Sequence, residues 1–210
     1  AVLASPRFLF RAEIQPEPNN KDKVVLLDEY ALAARLSFFL WSSVPDDELL
    51  SLAYKKELRK NLKSQVNRML KDPRTRRFVE NFVGQWLQSR DIEEFAIDPR
   101  RILNTTSQLE ATKVFNSRLK KDMKTETEMF FEFVLKNGRP AEELISAKYS
   151  FLNSRLAKFY GVKGVAGEEH QLVDLTEHPE RGGILTQGTF LVETSNPTRT
   201  SPEKRGLYVL

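Results

Sequence analysis

The chain has 210 residues, 40% of them hydrophobic, with no cysteine and a net charge of +4, which is enough to bury a core as one large domain or two small ones. Without cysteine, these residues cannot form disulfides, thiolate zinc sites, iron–sulfur clusters or a covalently attached c-type haem. No apolar run reaches the roughly 18 to 20 residues of a membrane helix, and the opening AVLASPRFLFR lacks the layout of a signal peptide.

The apolar spacing from Val24 to Trp41 predicts a buried helix, with Asp28 and Glu29 placed where the helix dipole favours acids. Ser42-Ser43 stops it. A second helix is expected after Pro45, led by Asp46, Asp47 and Glu48. Leu58, Leu62, Val66, Met69 and Leu70 then form a helical stripe with Arg and Lys opposite. Asp72-Pro73 reads as a cap followed by proline in the first turn, opening a helix from Arg74 to Gln88 with Phe78, Phe82, Trp86 and Leu87 on one inner face.

Residues 89–107 lack periodicity and are expected to form a long connection. The longest helix is predicted over Leu109 to Asn137, stopped by Asn137-Gly138 and Pro140. A turn from Ala147 leads into a short helix, Asn153 to Tyr160, ended by Gly161. Alternation at Gln171–Asp174 predicts one short strand, Gly182 to Val192 reads as a helix, and Asn196 to Pro202 as a polar loop. Both chain ends lie in apolar patterning without caps. The expectation is therefore a piece of a longer chain, with a helix continuing before Ala1 and Val2, Leu3, Phe8 and Phe10 packed inward.

Charge is unevenly placed. Lys55 to Arg77 carries ten Lys/Arg against Glu57 and Asp72, a run able to meet nucleic-acid phosphates, although a solvated helix face is its commoner meaning. Glu126, Glu128 and Glu132 raise the thought of a carboxylate site, but a di-metal bundle wants Glu-x-x-His, and neither His170 nor His178 follows a Glu at that spacing. These two histidines read as surface loop residues, and no metal site is expected. No nucleophile-elbow, phosphate-loop, dinucleotide or zinc-protease motif is present. The best ligand candidates are Arg181, Thr198, Arg199, Thr200 and Arg205, because loops rich in Arg and hydroxyls can be shaped around an anion, a propionate or a glycan. Such loops also satisfy their own backbone, and Ser201-Pro202-Glu203 has the form of a helix cap.

Six strings occur in one order: SPRFLFR (5–11), LAARLSFFLWSSVPDDELL (32–50), FVENFVGQWL (78–87), ETEMFFEFVL (126–135), YSFLNSRLAKFYGV (149–162) and RGGILTQGTFLVETSNPTRTSPEKRGLYVL (181–210). Together they resemble the planctomycete-specific domains of unknown function found in large secreted proteins beside c-type cytochrome modules, the last string entering the neighbouring cytochrome-type domain. The resemblance implies a periplasmic or extracellular parent with Cys-x-x-Cys-His haem motifs on its flanks, no cofactor in this chain, and neighbouring cytochrome domains as partners. It divides the chain into 1–23, the end of a preceding helical domain; 24–162, the helical family domain; and 163–210, the start of the cytochrome-associated domain.

The expected architecture is mainly α, a multi-helix bundle-like domain with long loops and at most one short strand pair. Its aromatic core is drawn from Phe38, Phe39, Trp41, Phe82, Trp86, Phe115, Phe130 and Phe159. The leading role is a scaffold or interaction module. A haem-dependent oxidative or glycan-directed enzyme module and a basic nucleic-acid-binding domain are the alternatives. A helical wheel places Glu126 in one arc of about 100° with Phe115, Leu119, Met123, Phe130 and Val134, while Glu128 points nearly the opposite way. A core-facing carboxylate needs a cation, and Arg35 is the expected partner, with Arg7 or Arg11 in reserve.

Overall fold

The computed structural model describes residues 2–5, 13, 17, 19–21 and 24–209, which fall into two compact units, 1–75 and 76–210. As the periodicity predicts, the described residues are mainly α-helical; they hold two small antiparallel strand pairs, one more than expected. The packing expected of Val2, Phe8 and Phe10, and the reserve partners Arg7 and Arg11, lie outside the described residues and side chains. Leu3, in a 3-10 turn at Val2–Ala4, is exposed rather than packed inward.

In the first unit, α1 (Glu29–Trp41) starts five residues later than the apolar run, because Asp28 caps it by accepting the backbone N–H groups of Tyr30 and Ala31, each at 2.9 Å. Val24 and Leu26 lie before the cap and are exposed. Ser42 ends α1 in the left-handed region, and Asp46 caps α2 (Asp47–Tyr54) through the N–H of Leu49. α3 (Leu62–Lys71) follows the stripe. The unit closes on Trp41, fully buried, whose indole N–H donates to the carbonyl of Met69 at 3.1 Å. The Arg74 guanidinium lies 3.5 Å from the centre of the Trp41 ring. Phe38 and Phe39, expected in the core, are exposed, because Ala33, Ser37, Leu40 and Trp41 form the buried face of α1.

Asp72 caps the next turn, accepting the N–H of Arg74 at 2.8 Å, as the sequence predicts, although Pro73–Thr75 is a 3-10 turn. Its hydrogen-bonded pairing with Arg74 holds the Asp72 carboxyl down to about 2. Asp72→Ala should cost about 1 kcal/mol; an unchanged urea midpoint would show that the cap contributes nothing.

In the second unit, α4 (Arg76–Trp86) and the residue after it bury Phe78 and Leu87 of the expected inner face but not Phe82 and Trp86. Val79 and Val83 are fully buried and Phe78 nearly so, while Phe82 and Trp86 are 38% and 45% exposed. α4 carries two apolar stripes, and the aliphatic one fills the core. The aromatic one reaches the surface at Phe82 and Trp86, whose rings lie against Phe131 with centres 5.4 Å and 6.3 Å away. The expected connection over 89–107 contains a helix, α5 (Pro99–Leu103), capped by Asp98 with proline in its first turn. The predicted long helix is two: α6 (Gln108–Val114) and the 20-residue α7 (Ser117–Lys136). They part at Phe115-Asn116, where the Asn116 side chain accepts the Leu119 N–H at 3.1 Å and restarts the helix.

Beyond α8 (Glu143–Ser146), β1 (Tyr149–Leu152) pairs antiparallel with β2 (Gln171–Asp174) in the register Tyr149 with Asp174 and Leu152 with Gln171. Between them α9 (Ser154–Tyr160) begins on Asn153, which accepts the Leu156 N–H at 2.9 Å, and ends on Gly161 at φ 78°, a left-handed turn suited to glycine. The helix expected over 182–192 is a 3-10 turn, Ile184–Thr186, followed by α10 (Gly188–Glu193). The expected polar loop is a tight hairpin, β3 (Ser195–Asn196) with β4 (Arg199–Thr200), leading into α11 (Pro202–Val209). The core runs from Phe115, at the break before α7, along α7 through Leu119 and Met123 to Leu152, Leu156 and Tyr160.

Candidate functional site

The inward side of α7 carries two acids one turn apart, Asp122 and Glu126, both buried. Asp122 accepts from Arg155 at 2.5 Å and from the Asn153 side-chain amide at 2.9 Å, so the residue that caps α9 also ties that helix to α7. The wheel is right that Glu126 faces the core, where it is 1% exposed, but its partners are hydroxyls rather than an arginine. Ser150 donates to Oε1 at 2.6 Å and Tyr160 to Oε2 at 2.7 Å. Arg35, expected to pair with it, is half-exposed in the first unit, with its guanidinium on Glu13. The wheel fixed a direction for each side chain and could not fix which elements meet.

Burial pushes Glu126 up to about 7, against the opposing pull of the two hydroxyl hydrogen bonds and the nearby charge of Arg181. The Tyr160 hydroxyl is pushed well above its usual range, first by burial and then by the Glu126 charge. That hydroxyl also accepts the N–H of Gly188 at 2.7 Å, linking α9 to α10. Gly188 is required there: a Cβ would lie 2.6 Å from the Met123 side chain and 2.7 Å from the Tyr160 oxygen.

Above this network lies a cavity of about 380 Å³. Its apolar wall includes Phe115, Met123, Phe159, Leu191 and Val192, and α5 and the β3–β4 hairpin border it. The hairpin tip is fixed to the start of α5 by the Asp98 N–H, which donates to the Pro197 carbonyl at 2.7 Å. All five residues singled out from sequence, Arg181, Thr198, Arg199, Thr200 and Arg205, line this one cavity, together with Arg101 from α5. The Arg181 guanidinium stacks 3.6 Å from the centre of the Tyr160 ring and donates to the Thr186 carbonyl at 3.2 Å, while its buried Nε–H has no partner among the described residues. Among the described residues Arg205 donates to hydroxyls, those of Thr194 at 3.3 Å and Ser195 at 3.4 Å.

Glu128, expected to point away from the core, is also buried, because α4 packs over that side of α7. Arg76 serves three acids there: Glu128, Glu132 at 3.2 Å and Glu80 at 3.0 Å. Burial nevertheless raises the Glu128 carboxyl, and its Oε1 has no partner among the described residues. Within the basic run, Arg59, Arg68, Arg74 and Arg76 each face a carboxylate. His178 pairs with Glu180 at 3.2 Å, whereas His170 is half-buried rather than on the surface, its ring against the Asp122 carbonyl at 3.1 Å. Burial lowers its pKa. Among the described residues no group of three or more His, Asp or Glu is arranged to hold a metal.

Asp122, Ser150 and Tyr160 went unmarked in the sequence as site residues. Only the Asn153 cap, adjacent to β1, offered a local signal that this segment was anchored.

This unit is a helical domain built on one long helix, with an arginine-bordered cavity at its side. Residues 27–162 match the family model described as PSD4, Protein of unknown function (DUF1592), and the chain belongs to that family. No curated protein and no solved structure matches it. No described helix is long and apolar enough to cross a membrane.

Proposed function

We propose that the chain is a helical scaffold and interaction module of a secreted, multidomain c-type cytochrome protein of the planctomycete type. In this reading it works in the periplasm or outside the cell, contributes no haem of its own, and holds neighbouring cytochrome domains in place. The observation that carries the reading is the β1–β2 pair. It joins strands on either side of residue 162, where the family match ends, so the next segment is hydrogen-bonded into the same unit as α7. A junction of this kind suits a part whose task is to hold an adjoining domain at a set angle. The full-length protein, purified from its host, should show a covalent c-type haem spectrum and be recovered from the periplasm or medium. A haem-free parent, or turnover by this chain alone, would overturn the proposal.

The cavity favours a second reading, an oxidative or glycan-directed module using Arg181 and the segment from Thr198 to Arg205 with haem supplied by a neighbour. Substrate-dependent haem reduction in the full-length protein separates the two.

A further inference from the structure

We infer that the cavity of the second unit is a binding site for a small organic carboxylate with an apolar body. Its volume of about 380 Å³ lies within the range of roughly 300 to 1,000 Å³ of small-molecule sites. The wall formed by Phe115, Met123 and Phe159 suits an apolar body, and four arginines, Arg101, Arg181, Arg199 and Arg205, are among the residues that line the same space. Elsewhere in this unit Arg76, Arg100, Arg139 and Arg155 are each neutralised by a carboxylate. Among the described residues none of the four cavity arginines is in a salt bridge; the acids whose charges they feel without contact are Glu126 and Glu180 for Arg181, Asp98 for Arg101 and Glu203 for Arg199. Asp98 also lines the space, but Arg100 already holds it at 2.9 Å. Glu126 lies below the wall, its carboxylate closed off by Ser150 and Tyr160.

Two details point to a ligand rather than to a merely solvated basic patch. The Arg181 guanidinium is held at the cavity wall by stacking 3.6 Å from the centre of the Tyr160 ring and by donating to the Thr186 carbonyl at 3.2 Å. Arg205 is held in place by neutral hydroxyls that position its charge without cancelling it. A carboxylate fits the planar guanidinium fork through paired hydrogen bonds, and the apolar wall distinguishes an organic acid from an inorganic anion.

Isothermal titration of the 210-residue chain with 4-phenylbutanoate tests the site, with 4-phenylbutanol and inorganic phosphate as the arms lacking charge and apolar body. The carboxylate should bind at least about tenfold more tightly than the alcohol, and phosphate at equal concentration should not displace it. Arg199→Gln, at an exposed hairpin position, and Arg205→Gln should each weaken binding by about tenfold, the size of one charge-assisted hydrogen bond. Arg118→Gln, exposed on α7 and away from the cavity wall, should leave binding unchanged, with circular dichroism confirming that each variant is folded. Equal binding of the alcohol, full displacement by phosphate, indifference to both cavity variants, or no heat with any probe at millimolar concentration would each overturn the assignment.

Discussion

Raising the pH from 5 to 8 should destabilise the wild-type chain relative to Glu126→Gln, by an amount bounded at about 3 kcal/mol. The Glu126 carboxyl sits at about 7 in the fold against an ordinary 4.5, so the folded chain holds this proton more tightly than the unfolded one. The stability it contributes is therefore complete below about pH 4.5 and lost as the pH rises through about 7. Glutamine keeps the shape and cannot ionise. Glu193, also raised to about 7 by burial and by the charge of Asp91, adds a slope of the same sign, and His170, lowered by burial, adds one of opposite sign. Both remain in the variant, so the difference between the two urea-denaturation series isolates Glu126. Parallel series across the range would show that the carboxyl titrates normally.

Arg76→Met should cost about 3 kcal/mol, because it strands Glu128 in a buried position and leaves Glu80 and Glu132 facing it without their shared cation. Arg76 is itself 35% exposed at its side chain, which places the effect at the lower end of what breaking a buried pair costs. The double variant Arg76→Met, Glu128→Leu should recover most of the loss, since two apolar groups at this junction remove the stranded charge. Thermal denaturation of the three proteins distinguishes this outcome from one in which the arginine is ornamental. A single variant within about 0.5 kcal/mol of wild type would match an ordinary surface pair and leave Arg76 with no structural role.

The elements readable from sequence are those set by a few neighbouring residues. Asp72-Pro73 announced a cap and Gly161 a stop, and the structure has them there. Asp98-Pro99 carried the same signal as Asp72-Pro73 and could have been read as the start of a helix. The break at Phe115-Asn116 was hidden because Phe115, Leu119 and Met123 keep helical spacing across it, so the apolar pattern continues while the backbone does not. In α4 the spacing fits an aromatic stripe and an aliphatic one about equally, and only the shape of the neighbouring surface selects Val79 and Val83 for the interior. The candidate site shows the same division. Composition marked Arg181 and 198–205, but their convergence with Arg101 and Phe115 depends on how distant segments fold onto α7, and no local pattern records that.

The β1–β2 pair also bears on where the chain can be divided. A protein ending at Val162 would keep β1, whose Phe151 and Leu152 are buried in the intact fold, but would lose the strand that satisfies one row of its backbone hydrogen bonds. Such an uncovered edge is a template for pairing with another chain. The end of the family match at residue 162 is thus a boundary of sequence likeness, and a fragment cut there would carry an adhesive edge that the intact chain keeps closed.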